Sequence, residues 1–135
     1  MPPEGPRVID LPEYRDERGT LSVIEFAGSL PFVPQRFYFI HDVPPRASRA
    51  GHAHWNETEG MIAFRGTFTV TLYDGTRELS FRLNSPSQIL IIPPRHWHVL
   101  GDFTEASLCG VFASHPYDPL DYCRDREEFR RSVRP

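Results

Sequence analysis

Hydrophobic and polar residues alternate most regularly in the segment that follows Gly66. Over 67–73, phenylalanine, valine and leucine alternate with threonine and tyrosine, and the alternation resumes over 79–83. A period of two residues is typical of a half-buried strand. The Asp74-Gly75 dipeptide between the two segments favours a tight hairpin turn. The pattern therefore predicts an antiparallel pair of strands.

Shorter β-prone segments occur along the rest of the chain. They are rich in valine, isoleucine, phenylalanine and tyrosine, which favour strands, and the continuously apolar ones are typical of strands buried on both faces. We predict such strands at 8–11, 20–26, 37–40, 89–92 and 108–113.

Only the C-terminal segment has a helical pattern, a short amphipathic helix over 121–133. The 14 prolines and 9 glycines are spread along the chain and oppose long helices. The 135 residues are enough for one packed domain. We therefore predict a single all-β domain over 1–135, with 1–7 as a flexible tail and a sandwich or barrel that buries the apolar strands.

Composition excludes several classes of function. All 15 basic residues are arginine, so Schiff-base chemistry and a P-loop lysine are ruled out. The net charge of -3 and the lack of a basic face make nucleic acid an unexpected partner. No apolar run approaches the ~18 residues of a membrane span, and the start does not resemble a signal peptide, so we expect a cytoplasmic protein. Cys109 and Cys123 are expected to be free thiols.

Four of the six histidines form two His-x-His pairs, His52 with His54 and His96 with His98. Side chains two positions apart in a strand point to the same side, so each pair could present two imidazoles to one space. His41 and His115 lie in turn-like contexts, and we expect them to be ordinary surface residues.

The spacing around the first pair matches the first motif of the cupins, small antiparallel β-barrels. In that motif two histidines are followed by a carboxylate and then a glycine, here Glu59 and Gly66. The proline-led segment that ends in His98 matches the second motif. We therefore predict a cupin-type antiparallel β-barrel (jelly roll) with a short C-terminal helix.

Beyond these motifs the chain resembles a narrower family, the nucleotide-sugar 3,4-ketoisomerases, which are single-domain cupins acting on dTDP-4-keto-6-deoxyhexoses. The C-terminal string is the most specific part of the match. The matching residues are Asp16, Arg18-Gly19, Leu21, Ile24-Glu25, Arg36, Tyr38, Arg49, His52-Ala53-His54, Asp74-Gly75, Ile92-Pro93-Pro94, Trp97-His98, Asp102-Phe103, Ser114, Tyr117-Asp118, Asp121-Tyr122, Arg124-Asp125 and Phe129.

Two departures from the family pattern fall beside the histidines. The family has two lysines after the second histidine, where this chain has Trp55 and Asn56, and it commonly has glutamine in place of Glu59. These changes leave the family assignment in place and bear on the substrate and on metal binding.

The resemblance implies that a carbonyl moves from C4 to C3 of the sugar through an enediol(ate). Neutral imidazole suits the base near pH 7, so His52 and His54 are the first candidates, with His54 preferred by the resemblance. Tyr38 could donate to the enediolate or shuttle a proton, and His98 is a candidate acid or positioning group.

For the substrate, Arg49 and Arg36 are candidate cations for the oxyanion or the pyrophosphate, and Trp97 is a candidate for stacking on the base. The partner implied by the resemblance is a dTDP-linked keto sugar. It also implies a homodimer, with N-terminal strands exchanged or paired across the interface.

Two other classes of function stay open. One is a metal-dependent cupin enzyme, in which His52, His54, Glu59 and His98 would bind a divalent ion. The other is a cupin that binds a nucleotide sugar without catalysis. Because a metal on His54 would occupy the lone pair that a base needs, we expect no cofactor and no metal requirement for turnover.

Overall fold

The computed structural model describes residues 5–133, and twelve strands account for nearly half of them. The hairpin that the alternation predicted after Gly66 is confirmed, and its paired residues include Phe68 with Leu83 and Leu72 with Leu79. The strands are β1 (Arg7–Asp10), β2 (Glu13–Asp16), β3 (Gly19–Ser22), β4 (Arg36–His41), β5 (Arg49–His54), β6 (Glu59–Arg65), β7 (Phe68–Tyr73), β8 (Glu78–Leu83), β9 (Gln88–Ile92), β10 (Trp97–Gly101), β11 (Leu108–Ala113) and β12 (Tyr122–Cys123).

Ten of these strands form two antiparallel five-stranded sheets. The first sheet has the order β1-β9-β6-β11-β4 and the second β12-β5-β10-β7-β8, while β2 and β3 form a separate hairpin. Within 5–133, strand pairing does not join the two sheets into a closed barrel. The predicted jelly-roll fold is confirmed as two sheets packed face to face.

The main core lies between the sheets. It combines inward side chains of the first sheet, such as Met61 and Val111, with those of the second, such as Val70 and Leu100. A Cβ added at Gly75 in the β7–β8 turn would clash with Val133 Cγ2, so the turn and the C-terminal helix are packed together. The hairpin and the helix are thus parts of one folded unit.

The C-terminal segment differs from the predicted helix over 121–133. A 3₁₀ turn at Pro119–Asp121 is followed by β12, and the helix α1 spans only Arg126–Val133. Asp125 caps α1, because its Oδ1 accepts hydrogen bonds from the backbone N–H groups of Glu127 and Glu128. The prediction started the helix too early because β12 is held by pairing with β5, which local periodicity does not encode.

Two N-terminal predictions are also corrected. The strand expected at 20–26 ends at Ser22, because it pairs only with β2 and the chain then turns. Of the predicted tail 1–7, residues 1–4 lie outside the described residues, and Arg7 already begins β1, opposite Ile91 of β9. None of the helices within 5–133 has the length and apolar character that a membrane crossing requires.

Candidate active site

Strand β5 carries the first histidine pair into the space between the sheets. It pairs with β10, which places His98 opposite His52, and with β12, which places Tyr122 opposite His54. Ala53 points to the other side of β5 and packs against Phe129 of the helix. The predicted convergence of His52, His54 and His98 is therefore observed.

A cavity of about 300 Å³ opens between the two sheets beside these histidines. Strands β4 and β6 supply one wall, β5 and β10 the other, and the segment after residue 116 closes one end. Its lining residues are Arg36, Tyr38, Ile40, Arg49, Ala50, His52, Met61, His98, Leu100, Tyr117, Tyr122 and Arg124. Five predicted site residues thus share one cavity, whereas the cleft of about 360 Å³ beside the β2–β3 hairpin contains no histidine.

His54 lies behind His52 and is almost completely buried. Its ring centroid is 5.0 Å from that of His52 and 4.3 Å from that of Tyr122. Its Nε2 lies 3.3 Å from an oxygen of Glu57, and its Nδ1 lies 3.4 Å from an oxygen of Asp121. His54 therefore belongs to the site without lining the cavity.

Two side chains that were predicted to face the site, those of Trp97 and His96, lie away from the cavity. Trp97 alternates with His98 along β10, so its side chain faces away from the cavity and packs beside Phe129, with ring centroids 6.0 Å apart. His96 precedes β10, and its Nδ1 contacts the carbonyl oxygen of Pro94 at 3.0 Å. The expectation that both histidines of the second pair face the site is wrong, because the strand starts only after His96.

Glu59 links the two sheets at the base of the cavity. The Tyr38 hydroxyl donates to its Oε2 at 2.6 Å, and His98 Nε2 lies 3.3 Å from its Oε1. Burial alone would raise the pKa of Glu59, but His98 and the Tyr38 hydroxyl outweigh it and lower this pKa to about 2. Burial alone would lower the pKa of His98, but the Glu59 carboxylate raises this pKa above its ordinary value. The pair favours a carboxylate beside an imidazolium.

The other two imidazoles are kept neutral. Burial, together with the neighbouring His98 and His54, lowers the pKa of His52 to about 3. Burial also lowers the pKa of His54, although Glu59 opposes this change. Neutral imidazole has a free lone pair, so both side chains are in the form that accepts a proton.

Glu57 is a site residue that sequence reasoning missed. Its two carboxylate oxygens lie 3.2 and 3.3 Å from the Arg36 guanidinium, which also lies over the rings of Tyr38 and Tyr117. Burial and the nearby Glu59 raise the pKa of Glu57 to about 7. Its position three residues after His54 could have identified Glu57 as a site residue, but the cupin motif spacing selects Glu59 as the carboxylate.

Asp121 and Tyr122 are further residues without a predicted role. Asp121 accepts hydrogen bonds from the backbone N–H groups of Asn56 and Glu57, which fixes the loop after β5. The Tyr122 ring lies 4.3 Å below the guanidinium carbon of Arg124, and both line the cavity. Their presence in the C-terminal string of the family resemblance was the signal that could have identified them.

The possible metal ligands form two groups within residues 5–133. One contains His52, His54 and His98, and the other contains His54, Glu57 and Glu59, with ligand atoms within 4.8 Å of one another in each group. The predicted set of His52, His54, Glu59 and His98 is therefore divided between them. Donor types and spacing fit a first-row divalent ion in either group, which could act as a Lewis acid when bound.

Comparisons with known proteins agree with this site. The FdtA family model, described as WxcM-like, C-terminal, matches residues 4–134. A TDP-4-oxo-6-deoxy-alpha-D-glucose-3,4-oxoisomerase from Aneurinibacillus thermoaerophilus is 32% identical over 127 residues, which cover 94% of this chain and 91% of the relative.

Solved structures give the same result. A double mutant of the QdtA 3,4-ketoisomerase from Thermoanaerobacterium thermosaccharolyticum, in complex with TDP, has a TM-score of 0.93 and 32% identity, covering 96% of this chain and 94% of that one. A second QdtA mutant, in complex with TDP-4-keto-6-deoxyglucose, has a TM-score of 0.93 and 29% identity with the same coverage. The predicted resemblance is confirmed, and this chain belongs to the FdtA, WxcM-like family together with these sugar 3,4-ketoisomerases.

Proposed function

We propose that this protein converts a TDP-linked 4-keto-6-deoxyhexose to its 3-keto isomer. The observation that carries the proposal is the single cavity in which neutral His52, the Tyr38 hydroxyl and the His98–Glu59 pair face one another. Moving a carbonyl between neighbouring carbons requires a base, an acid and a group that stabilises negative oxygen. The cavity contains all three, and the relatives bind TDP or a TDP keto sugar.

Proton abstraction from C3 is assigned to the His52–His54 pair. His54 remains the preferred base on the family resemblance, and His52 is the imidazole that lines the cavity wall. Burial keeps both rings neutral near pH 7. A positioned general base contributes roughly 10² to 10⁴ in rate, which is the scale of loss expected when it is removed.

Tyr38 and His98 are assigned two tasks, which are donating a hydrogen bond to the enediolate oxygen and returning a proton to the sugar. The pKa of Tyr38 is raised by burial and by Glu59, so its hydroxyl stays protonated, and it would donate to the substrate oxygen by turning from the Glu59 carboxylate. The raised pKa of His98 favours the protonated ring, whose Nδ1 contacts the His96 carbonyl oxygen, so its Nε2 would donate in place of the Glu59 contact. Donors held in place before the reaction stabilise an enediolate without reorganising during it.

Arg49, Arg36 and Arg124 are assigned to the pyrophosphate end of the substrate. All three line the cavity, and guanidinium groups suit phosphate oxygens. Because Trp97 faces away from the cavity, Tyr117 and Tyr122 are the aromatic side chains available to contact the ligand there. The reaction is proposed to need no metal, since the acid and base groups suffice.

The test is NMR of TDP-4-keto-6-deoxyglucose incubated with the protein in D₂O. We expect deuterium at C3 of the remaining 4-keto sugar and at C4 of the 3-keto isomer, which an aminotransferase can trap for assignment of C4. Unchanged sugar in the presence of calorimetric binding would favour a binding module instead. Activity that disappears with chelator and returns with one divalent ion would favour the metal-dependent class.

We also propose that the protein acts as a cytoplasmic homodimer. Strand β4 is an edge of the first sheet and exposes Phe37 and Phe39. The exposed ring of Phe26 and that of Phe37 both pack on Phe112, with centroids 6.2 and 4.7 Å from it. Exposed apolar residues at a sheet edge are commonly covered by a partner. Light scattering that gives the mass of one chain at micromolar concentration would overturn the dimer.

A further inference from the structure

A buried group of one imidazole and two carboxylates lies behind the cavity wall. His54, Glu57 and Glu59 are each no more than 3% exposed, and their ligand atoms lie within 4.8 Å of one another. We propose that this group is a divalent-cation site in which Glu57 is a ligand and His52 is not.

The first argument is that the group contains polar atoms without a hydrogen bond. Within the part of the chain described, neither ring nitrogen of His54 meets hydrogen-bond geometry, although Nε2 faces an oxygen of Glu57 at 3.3 Å and Nδ1 faces an oxygen of Asp121 at 3.4 Å. A buried polar atom without a hydrogen bond destabilises the folded state, and such atoms are uncommon in folded proteins. A cation bound at Nε2 of His54 would satisfy the nitrogen that faces the two glutamates.

The second argument is the spacing of the donors. His54 Nε2 lies 3.3 Å from Glu57 Oε2 and 3.8 Å from Glu59 Oε2. Ligands held 2.0–2.2 Å from a tetrahedral zinc ion lie about 3.3–3.6 Å apart. The two distances from His54 are close to this spacing, and an oxygen of Glu57 and one of Glu59 lie within 4.8 Å of each other. The same two oxygens also accept hydrogen bonds, from Arg36 and from the Tyr38 hydroxyl.

The third argument is charge. Three carboxylates, those of Glu57, Glu59 and Asp121, lie within 4 Å of His54. Arg36 lies against Glu57 and His98 lies against Glu59, while Asp121 accepts from neutral amide N–H groups, so three carboxylates face two cationic groups when Glu57 is ionised. A buried excess of negative charge is unfavourable, and a divalent cation relieves it.

The site differs from the three-imidazole group of His52, His54 and His98. One nitrogen and two carboxylate oxygens favour ions such as Zn²⁺, Mn²⁺ or Fe²⁺ over softer ones. If His54 is the base, as the proposed function holds, an ion on its Nε2 blocks proton abstraction and inhibits the enzyme. That consequence depends on the proposed function, whereas binding of the ion does not.

The experiment is titration of chelator-treated protein with Zn²⁺ in competition with a chromophoric chelator. We expect one equivalent to bind to the wild-type chain and the affinity to fall at least about tenfold in Glu57→Gln. The matched control is His52→Asn, which should bind within about threefold of the wild type. Thermal melts of both variants establish that each is folded.

A measurement on the unsubstituted chain makes the test independent of folding defects. X-ray absorption spectroscopy of the Zn²⁺-loaded protein counts coordinated imidazoles, and we expect one. Three imidazoles, or loss of Zn²⁺ binding in His52→Asn with retention in Glu57→Gln, would overturn the site. Absence of Zn²⁺ binding to the wild-type chain would overturn it as well.

Discussion

The Tyr38 hydroxyl donates a hydrogen bond to Glu59 over 2.6 Å, from β4 to β6 within one sheet. Glu59 also faces His98 of the opposite sheet at 3.3 Å. One carboxylate thus sets the protonation of two groups that face the cavity. Removing either contact is expected to change catalysis more than binding.

Tyr38→Phe removes the hydroxyl while it keeps the aromatic ring. We expect kcat for isomerisation to fall about 10²-fold with little change in KM, because the hydroxyl acts on the reacting oxygen. Steady-state kinetics measures both constants. Tyr14→Phe, at an exposed position of β2, is the matched control and should keep full activity. A Tyr38→Phe variant with normal kcat would remove this residue from the mechanism.

His54→Asn is expected to lower turnover and C3 deuterium exchange together by about 10² to 10⁴. His41→Asn, an exposed histidine outside the cavity, serves as the control and should behave as the wild type. His52→Asn is measured in parallel. If only His52→Asn stops exchange and His54→Asn retains it, the base is His52 and the assignment of His54 is wrong.

Arg49→Ala tests the pyrophosphate contact. Loss of a charged hydrogen bond of about 1.5–3 kcal/mol corresponds to a rise in KM of about 10- to 100-fold, with kcat nearly unchanged. The control is Arg46→Ala in the neighbouring loop, at an exposed position that does not line the cavity. Equal KM values for the two variants would contradict a role for Arg49.

Glu57 gives a pH dependence of stability with a definite sign. Its pKa is about 7 in the folded protein against an ordinary value of 4.5. Between these values the folded chain holds a proton that the unfolded chain has lost, so the contribution of Glu57 to stability is present below pH 4.5 and decreases toward pH 7. In urea denaturation, the unfolding free energy of the wild type should therefore fall relative to that of Glu57→Gln as the pH rises from 4.5 to 7. A constant difference would contradict the raised pKa.

Exhaustive chelation is expected to leave turnover intact. The reason is chemical, since the His52–His54 pair, Tyr38 and His98 supply proton transfer, and a Lewis acid on His54 would occupy the lone pair that the base needs. Activity and metal content by mass spectrometry are measured on the same sample. Loss of turnover that one added divalent ion restores would show that the metal is required.

Sequence periodicity predicted those parts of the fold in which local pattern and tertiary contact agree. The β7–β8 hairpin is the clearest example, because its alternating residues face the core and Asp74 Oδ1 accepts from the N–H groups of the turn. Strand β6 was missed, because its buried run begins with the polar Glu59 and lacks alternation. Its position depends on pairing with β9 and β11, which are distant in sequence.

The part of the site that motif spacing and family resemblance encode could be predicted from the sequence. Period-two geometry correctly brought His52 and His54 to the interior, and the motif added His98 and Glu59. The same rule failed for His96, since no strand contains it. Glu57 and Asp121 could not be assigned, because their roles arise from contacts with Arg36 and with the loop after β5.

The pairing of β12 with β5 has a consequence for how the protein folds. Asp121 holds Asn56 across 65 positions of the sequence, and Tyr122 lies opposite His54 in the same region. Bringing such distant segments together costs loop-closure entropy before any contact stabilises them. Proteins whose contacts are mostly of this kind fold more slowly. The strand that carries the base is therefore completed by a contact between segments far apart in sequence, so assembly of the catalytic wall is tied to docking of the C-terminal segment.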